Sequence, residues 1–285
     1  EDLIDPPLAE EVLLVPDGSY AFVRQFAATE LVVVDIFDQL VDSVEVGANP
    51  TDIDVTPDGT QAVAVARGSG ELWVYDLADP FAGADVIALP DGEVFGSVLM
   101  SPDSSKGLLY STASGMSRFA SWDRTAEDPN DAISVRSLVK PVGSMAVSPT
   151  GGTALVFHDD SNGEDVDSSS PFYGEYALTM IDLSDFFANP LLLPAEPTGY
   201  ADTEDGQTGF FVMDGEPYLE VLHYDSLLYN EIELKSEPVH LGVLPETRTA
   251  YISQEHDLGR ISFFDVDADE LQTITGFELN AGIQD

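Results

Sequence analysis

One short turn motif recurs along the chain, and its spacing restricts the fold more than any other feature. The motif is Pro-Asp-Gly or a close variant, and its six copies are Pro16-Asp17-Gly18, Pro57-Asp58-Gly59, Pro102-Asp103-Ser104, Pro149-Thr150-Gly151, Glu204-Asp205-Gly206 and Pro245-Glu246-Thr247. The first residues of successive copies lie 41, 45, 47, 55 and 41 positions apart. Proline sets φ for a tight turn, and Asp followed by Gly supplies a local hydrogen bond and a positive φ. Each copy therefore predicts a β-hairpin inside a long repeat.

Short apolar segments flank every turn. In the second copy, segment 53–55 precedes the turn and segment 62–65 follows it. A third strand ends in an aromatic or aliphatic residue followed by Asp, at Val34-Asp35, Tyr75-Asp76, Trp122-Asp123, Ile181-Asp182, Tyr224-Asp225 and Phe264-Asp265. A fourth apolar segment follows in most copies, as at 271–275. Each repeat thus predicts one four-stranded antiparallel sheet.

Six such sheets, with almost no helical periodicity, favour a β-propeller, because a radial arrangement protects the sheet edges. The repeats cover about 8–47, 48–91, 92–139, 140–195, 196–236 and 237–277. A two-domain sandwich is the alternative, and it would not require so regular a period. We predict an all-β fold in which 1–285 form a single propeller domain, with six blades favoured and seven possible. The spare segments are 1–10 and 277–285, and Phe277-Glu278-Leu279 is the candidate for a closing strand.

The second repeat shows the pattern most completely. Segment 56–77, TPDGTQAVAVARGSGELWVYDL, combines the turn, a strand of small residues, a Gly and Ser loop and a Tyr-Asp-Leu ending. This pattern resembles the YVTN or YncE-type propeller repeat over nearly the whole chain, although no Tyr-Val-Thr-Asn sequence occurs. The resemblance implies an exported bacterial propeller, often of seven blades, whose motifs specify blades rather than chemistry. It also implies that the loop before each first strand and the loop between the second and third strands share one binding face, called here the loop face.

The charge of the chain is strongly negative. It has 53 Asp plus Glu against 10 Lys plus Arg, which gives a formal net charge of -43. Nucleic acid is a poor partner for such a chain, since Lys and Arg supply the affinity for phosphate backbones. Two interpretations of the acidity remain open. The surface is adapted to a salty medium, as in a halophilic or marine host, or it collects Ca²⁺ or other cations.

Composition also bears on the compartment. There is no cysteine, so neither a disulfide nor a thiolate metal site is available. No apolar run approaches the roughly 20 residues of a spanning helix, so we expect no direct membrane insertion. The sequence begins at Glu1, which favours a removed leader or upstream domain. We expect an extracellular, periplasmic or cell-surface bacterial protein, and a further possibility is that the propeller is one domain of a larger surface protein.

The longest loop offers a candidate site for Ca²⁺, the one cofactor that the sequence suggests. Segment 158–174, HDDSNGEDVDSSSPFYG, contains Asp160, Asn162, Glu164 and Asp167 among small residues. Calcium takes six to eight oxygen ligands, and a flexible loop rich in carboxylates can provide them. The spacing fits no EF-hand, and the alternative is a solvated acidic insertion.

A second candidate set comes from the repeat itself. The residues five places before each turn are predicted to border the propeller channel, and they are Glu11, Asp52, Ser97, Ser144, Gly199 and His240. Glu11, Asp52 and His240 are the candidates to hold a cation there, and the alternative is a water-filled channel. His158 and His256 also map to the loop face, although no short spacing links the histidines.

Catalytic motifs are otherwise missing from the sequence. There is no Gly-x-Ser-x-Gly elbow, no phosphate-binding loop and no His-Glu-x-x-His. The run Asp265, Asp267 and Asp269 includes the structural aspartate of its repeat, so it is interpreted as a strand end. We therefore favour a non-enzymatic binding or scaffold module that takes a protein or glycan partner on its loop face. The alternative is a metal-dependent hydrolase of the lactonase type with a channel cation.

Overall fold

The structure, a computed structural model, describes residues 9–25, 27–113, 115–128 and 131–276. Within these ranges the chain forms 24 β-strands in six four-stranded antiparallel sheets, with one 3₁₀ turn at Pro80–Ala82. The all-β class and six blades are confirmed. The proposed closing strand, Phe277-Glu278-Leu279, lies outside the described residues. In the described ranges, no helix has the length and apolar character needed to cross a membrane.

The chain divides into two compact units. The first runs to Val142 and includes Asn162–Val166, and the second contains Gly143–Ser161 and continues from Asp167. Each unit holds three sheets, called blades 1 to 3 and blades 4 to 6. The prediction that 1–285 form a single domain stays a prediction.

Blades 1 to 3 follow one another in chain order, and neighbouring strands in each blade are antiparallel. Their strands are β1 (Ala9–Leu14), β2 (Tyr20–Gln25), β3 (Glu30–Asp35) and β4 (Leu40–Glu45), then β5 (Pro50–Val55), β6 (Gln61–Ala66), β7 (Glu71–Asp76) and β8 (Ala84–Ala88), then β9 (Ser97–Met100), β10 (Lys106–Tyr110), β11 (Arg118–Asp123) and β12 (Ile133–Ser137). The first strands of consecutive blades touch, because β5 contacts both β1 and β9.

Blades 4 to 6 repeat this arrangement in the second unit. Their strands are β13 (Ser144–Val147), β14 (Thr153–His158), β15 (Tyr176–Asp182) and β16 (Ala188–Leu193), then β17 (Pro197–Asp202), β18 (Thr208–Met213), β19 (Tyr218–His223) and β20 (Leu228–Glu233), then β21 (Pro238–Val243), β22 (Thr249–Gln254), β23 (Arg260–Asp265) and β24 (Glu270–Thr275). Here β17 contacts β21.

The recurring motif closes the first hairpin of every blade, as predicted. Its third residue donates its N–H to the carbonyl of the residue before the motif, for example Gly18 to Val15 at 2.8 Å. That third residue has positive φ in five copies: Gly18, Gly59, Ser104, Gly151 and Gly206. In the sixth copy the positive φ moves to the second residue, Glu246, at 59°. A positive φ at this earlier position is the geometry of a type II turn.

The aspartates at the ends of the third strands hold the next turn. Asp35 Oδ1 accepts from the backbone N–H groups of Phe37 and Asp38 at 3.0 and 2.9 Å. Asp265 Oδ1 accepts from those of Asp267 and Ala268, both at 3.0 Å. The structural interpretation of Asp265 is thereby confirmed.

Within each unit, neighbouring blades pack face to face. Phe22, Leu31 and Val33 of blade 1 are buried against Ile53 and Ala64 of blade 2. Further apolar clusters join blade 2 to blade 3, blade 4 to blade 5 and blade 5 to blade 6. Burial of one large apolar side chain contributes about 1.5–3 kcal/mol, so these interfaces carry much of the stability of each unit.

Candidate functional site

A cavity of about 500 Å³ opens in the second unit between the first strands of blades 4 and 5. Its wall combines aromatic, acidic and small residues: Gly143, Ser144, Met145, Ala146, Phe157, His158, Asp159, Tyr176, Glu196, Pro197, Gly199 and Tyr200. We call this space the loop-face cavity.

Its position follows from two kinds of loop. Gly143 and Glu196 directly precede the first strands β13 and β17, while His158 and Tyr176 end β14 and begin β15. The cavity is therefore lined from the loop before the first strand and from the loop between the second and third strands. These are the two kinds of loop that, by the resemblance to the YVTN or YncE-type repeat, share the loop face.

Negative charge surrounds the aromatic wall. Partial burial raises the pKa of Tyr176, and the carboxylates of Asp160, Glu196 and Asp159 raise it further. No Lys or Arg is among the lining residues. Carboxylates beside aromatic faces favour a cation, because both attract positive charge.

A hydrogen-bonded group fixes one wall of the cavity. The Tyr200 ring packs edge to face on Phe157, with centroids 5.9 Å apart. The hydroxyls of Tyr200 and Tyr224 both donate to the Asp202 carboxylate, and the two hydroxyl oxygens lie 3.0 Å apart. Burial raises the pKa of Asp202, although both tyrosine hydrogen bonds oppose that shift. Burial also raises the pKa of each tyrosine, so both remain hydrogen-bond donors at neutral pH.

His158 is buried at the edge of the same cavity. Its Nε2 lies 2.8 Å from the Thr179 hydroxyl. This contact commits one ring nitrogen to a neighbouring strand, so His158 shapes the wall.

Of the three candidates to hold a channel cation, Glu11 and Asp52 lie in the first unit, on first strands. Glu11, in β1, accepts a hydrogen bond from Arg24 Nε at 2.8 Å. Asp52, in β5, accepts from the backbone N–H of Val98 at 2.7 Å. Partial burial raises the pKa of Asp52 to about 6, and the nearby charges of Glu11 and Asp54 act in the same direction.

His240 lies on β21 of the second unit, and its ring is 6.1 Å from that of Tyr251. All three channel candidates thus occupy first strands. That Glu11, Asp52 and His240 jointly hold a cation stays a prediction. His256 lies in the turn after β22, where its Nδ1 accepts from the N–H of Leu258 at 3.1 Å.

The candidate calcium ligands lie between β14 and β15. Asp160 and Asp167 belong to the second unit, while Asn162 and Glu164 belong to the first. Asp167 Oδ1 accepts from the N–H and hydroxyl of Ser169 at 2.7 and 2.8 Å. Among the residues that the structure describes, no three His, Asp or Glu side chains are grouped to hold a metal ion. The calcium site stays a prediction.

Asp165 is another carboxylate of this loop and is not one of the four candidate calcium ligands. Its carboxylate accepts from the N–H and the hydroxyl of Ser117, at 3.0 and 2.8 Å. The N–H of Glu164 donates to the Gly115 carbonyl at 3.0 Å. Segment Asn162–Val166 is therefore anchored beside blade 3, in its own unit.

Comparisons with known proteins show the fold. No protein-family model and no curated protein matches the chain. Among solved structures, hydrazine synthase from Kuenenia stuttgartiensis is similar over 92% of this chain and 78% of its own, with 16% identity and a TM-score of 0.56. A functionally unknown protein from Desulfotomaculum acetoxidans DSM 771 is similar over 92% of this chain and 83% of its own, with 15% identity and a TM-score of 0.51. The hydrazine synthase chain is a β-propeller, so the β-propeller fold is confirmed.

Proposed function

We propose that this propeller is a non-enzymatic binding module whose loop-face cavity accepts a cationic side chain from an extended segment of a protein partner. One observation carries the proposal. The cavity joins aromatic rings and carboxylates, and among the described residues that line it there is no Lys or Arg.

The physical basis is additive attraction to positive charge. A guanidinium or ammonium over an aromatic face gains about 0.5–2 kcal/mol, more as water is excluded. Pairing with an exposed carboxylate such as Asp159 or Glu196 adds about 0–1 kcal/mol. The net charge of -43 also raises the rate of encounter with a basic partner at low salt.

The fixed geometry of the wall favours binding over catalysis. Tyr200 and Tyr224 are committed to Asp202, and His158 is committed to Thr179. The hydrolase alternative uses Glu11 as a ligand of a channel cation, but Glu11 already forms an ion pair with Arg24. In this proposal the module acts outside the cell, in the compartment that the resemblance implies.

The test is calorimetric titration with extended peptides. Each peptide carries one central Arg or Lys, and its matched control carries citrulline or norleucine there. We expect the Arg or Lys peptide to bind at least about tenfold more tightly than its control, since it alone brings a charge. Glu196→Gln and Tyr176→Ala should each weaken that binding.

Glu255→Gln is the matched control, because Glu255 is an exposed glutamate of another blade loop and does not line the cavity. It should leave the affinity unchanged. Equal binding of charged and neutral peptides would overturn the proposal. The proposal would also be overturned if the protein bound glycans and not peptides, and if Tyr176→Ala abolished that glycan binding.

A further inference from the structure

The aromatic residues of the loop-face cavity are less exposed than its carboxylates. Phe157 is buried, and Tyr176 and Tyr200 are half-buried, all three at the apolar cluster between blades 4 and 5. The two acidic lining residues, Asp159 and Glu196, are exposed. A cation that enters the cavity therefore loses water against ring surfaces, while the carboxylates stay hydrated beside it.

Two of these rings stand at a steep angle to each other. The planes of Phe157 and Tyr200 meet at 62°, with centroids 5.9 Å apart. Phe157 also packs at 67° on Phe211, with centroids 6.1 Å apart, and the Tyr200 hydroxyl is held by its hydrogen bond to Asp202. A cation within about 6 Å of a ring centroid is attracted by the ring face. Because the rings are held before a ligand arrives, little ordering is required on binding.

Polar groups of the cavity already have partners within the protein. The Nε2 of His158 lies 2.8 Å from the Thr179 hydroxyl, and Asp159 Oδ1 accepts from the N–H and the hydroxyl of Ser161. A lysine ammonium brings several N–H donors, and an arginine guanidinium brings more. Donors that leave water without finding an acceptor cost binding free energy. The cavity therefore favours a cation that has no donor to satisfy.

We infer that the loop-face cavity takes a quaternary ammonium group, carried by a trimethylated lysine side chain of the partner segment. This inference rests on the proposed function and names its cation. Methylation keeps the positive charge of lysine and replaces the N–H donors with methyl groups. The methyl groups pack on the rings, and the ring faces attract the charge. Asp159 and Glu196 add attraction that requires no hydrogen bond.

The experiment is calorimetric titration of the whole chain with peptides that differ only at the central residue. That residue is trimethyllysine, lysine, arginine, or the neutral carbon isostere in which a tert-butyl group replaces the trimethylammonium group. We expect trimethyllysine to bind at least about fivefold more tightly than each of the others. Lysine or arginine binding as tightly as trimethyllysine would overturn this inference and leave the proposed function standing. Equally tight binding of the isostere would show that charge is not recognised and would overturn both.

Variants at two tyrosines of the same segment locate the site. Tyr176→Phe keeps the ring and should keep the affinity for trimethyllysine, whereas Tyr176→Ala should lower it at least about fivefold. Tyr173→Ala is the matched control, because Tyr173 is 45% exposed and is not among the lining residues. It should leave the affinity unchanged, and a loss equal to that of Tyr176→Ala would overturn the placement. Circular dichroism establishes that each variant is folded.

Competition with tetramethylammonium chloride, set against sodium chloride at equal concentration, distinguishes a side chain from a free ion. The free ion should displace the trimethyllysine peptide only weakly, because it lacks the contacts of the flanking segment. Binding of the free ion as tight as that of the peptide would overturn the assignment of the quaternary ammonium group to a protein partner.

Discussion

Glu220 lies directly opposite Glu231 in the antiparallel pair of β19 and β20, and the Glu220 side chain is fully buried. Within the part of the chain that the structure describes, neither of its carboxyl oxygens has a hydrogen-bond partner. Burial raises the pKa of Glu220 from 4.5 to about 8, and the charges of Glu231 and Glu216 contribute in the same direction. The side chain therefore holds a proton at neutral pH.

Because Glu220 is protonated in the folded chain, we expect the free energy of unfolding to fall as pH rises. Between pH 4.5 and about 8 the folded chain keeps a proton on Glu220 that the unfolded chain has lost. Stability from this group is thus complete below pH 4.5 and is lost as pH rises through about 8, with each pKa unit worth about 1.4 kcal/mol. Thermal unfolding of Glu220→Gln, measured from pH 5 to pH 9, should show a flatter Tm profile than the unmodified protein.

Glu231→Gln serves as the comparison, because Glu231 is exposed and its removal leaves the Glu220 proton in place. It should lower the pKa of Glu220 and shift the loss of stability to lower pH without abolishing it. Parallel profiles for Glu220→Gln and the unmodified protein would contradict the assignment of the proton to Glu220.

The Tyr224 hydroxyl should contribute more to the free energy of unfolding than the Tyr229 hydroxyl does. Tyr224→Phe removes one of the two hydroxyl donors to Asp202 and leaves a partly buried carboxylate short of a partner. We expect a loss of about 1–3 kcal/mol in the free energy of unfolding by urea. Tyr229→Phe is the matched change, since that hydroxyl makes only a 3.4 Å contact with the Leu192 carbonyl. It should cost less than about 0.5 kcal/mol, and equal costs would refute the special role of the pair.

The lack of a side chain at Gly209 leaves space for the Tyr224 hydroxyl and the Asp202 carboxylate. A Cβ at Gly209 would overlap the Tyr224 hydroxyl and lie 2.8 Å from Asp202 Oδ1. Gly209→Ala should therefore destabilise the fold by about 1–3 kcal/mol through overpacking. At Gly152 the nearest atom to a new Cβ is the Thr150 hydroxyl oxygen at 3.8 Å, so Gly152→Ala should be nearly neutral. Chemical denaturation of the two variants compares them, and a neutral Gly209→Ala would contradict the crowding.

The hydrogen bonds of Asp165 should protect the loop between β14 and β15 from proteolysis. Asp165→Ala removes the acceptor of both Ser117 hydrogen bonds. We expect faster cleavage within 159–175 by a non-specific protease, followed by mass spectrometry. Asp160→Ala changes an exposed carboxylate of the same loop and should leave the rate unchanged. If Ca²⁺ instead protects the loop and Asp160→Ala removes that protection, the calcium prediction gains support and the loop is held by metal.

The blades were predictable because their signals are local. The segment predicted at 62–65 is the strand Gln61–Ala66, and the one predicted at 271–275 is Glu270–Thr275. Turn residues and short apolar segments fix a hairpin without reference to distant parts of the chain. The positive φ at Glu246 departs from the pattern, and the lack of a glycine does not explain it, because Ser104 in the third copy keeps the positive φ at the third residue.

Ser144, Gly199 and His158 were named from the repeat and line the loop-face cavity, but its aromatic wall was not predictable, because it depends on how two blades pack. Tyr176 and Tyr200 lie in different sheets, and no local pattern brings them together. The sequence did hold one signal, since Tyr200 and Asp202 occupy repeat positions that are Ile53 and Val55 in blade 2. Polar residues at such core positions indicate a specialised interface. Asp165 gave no comparable signal, because one acidic residue among many in a loop has no distinguishing pattern.

The two tyrosine hydroxyls that bind Asp202 also distinguish blade 5 from the other blades. Apolar blade faces of similar shape can exchange partners at little cost. The Asp202 carboxylate, in contrast, keeps its two hydroxyl donors only when the strands of its own sheet are paired in their present register. Blade 5 is therefore not interchangeable with blade 2, although both descend from the same pattern of turns. A permuted or duplicated chain would have to keep β17 and β19 in one sheet, because a break between them would separate Asp202 from the Tyr224 hydroxyl and leave a partly buried acid without one of its two donors.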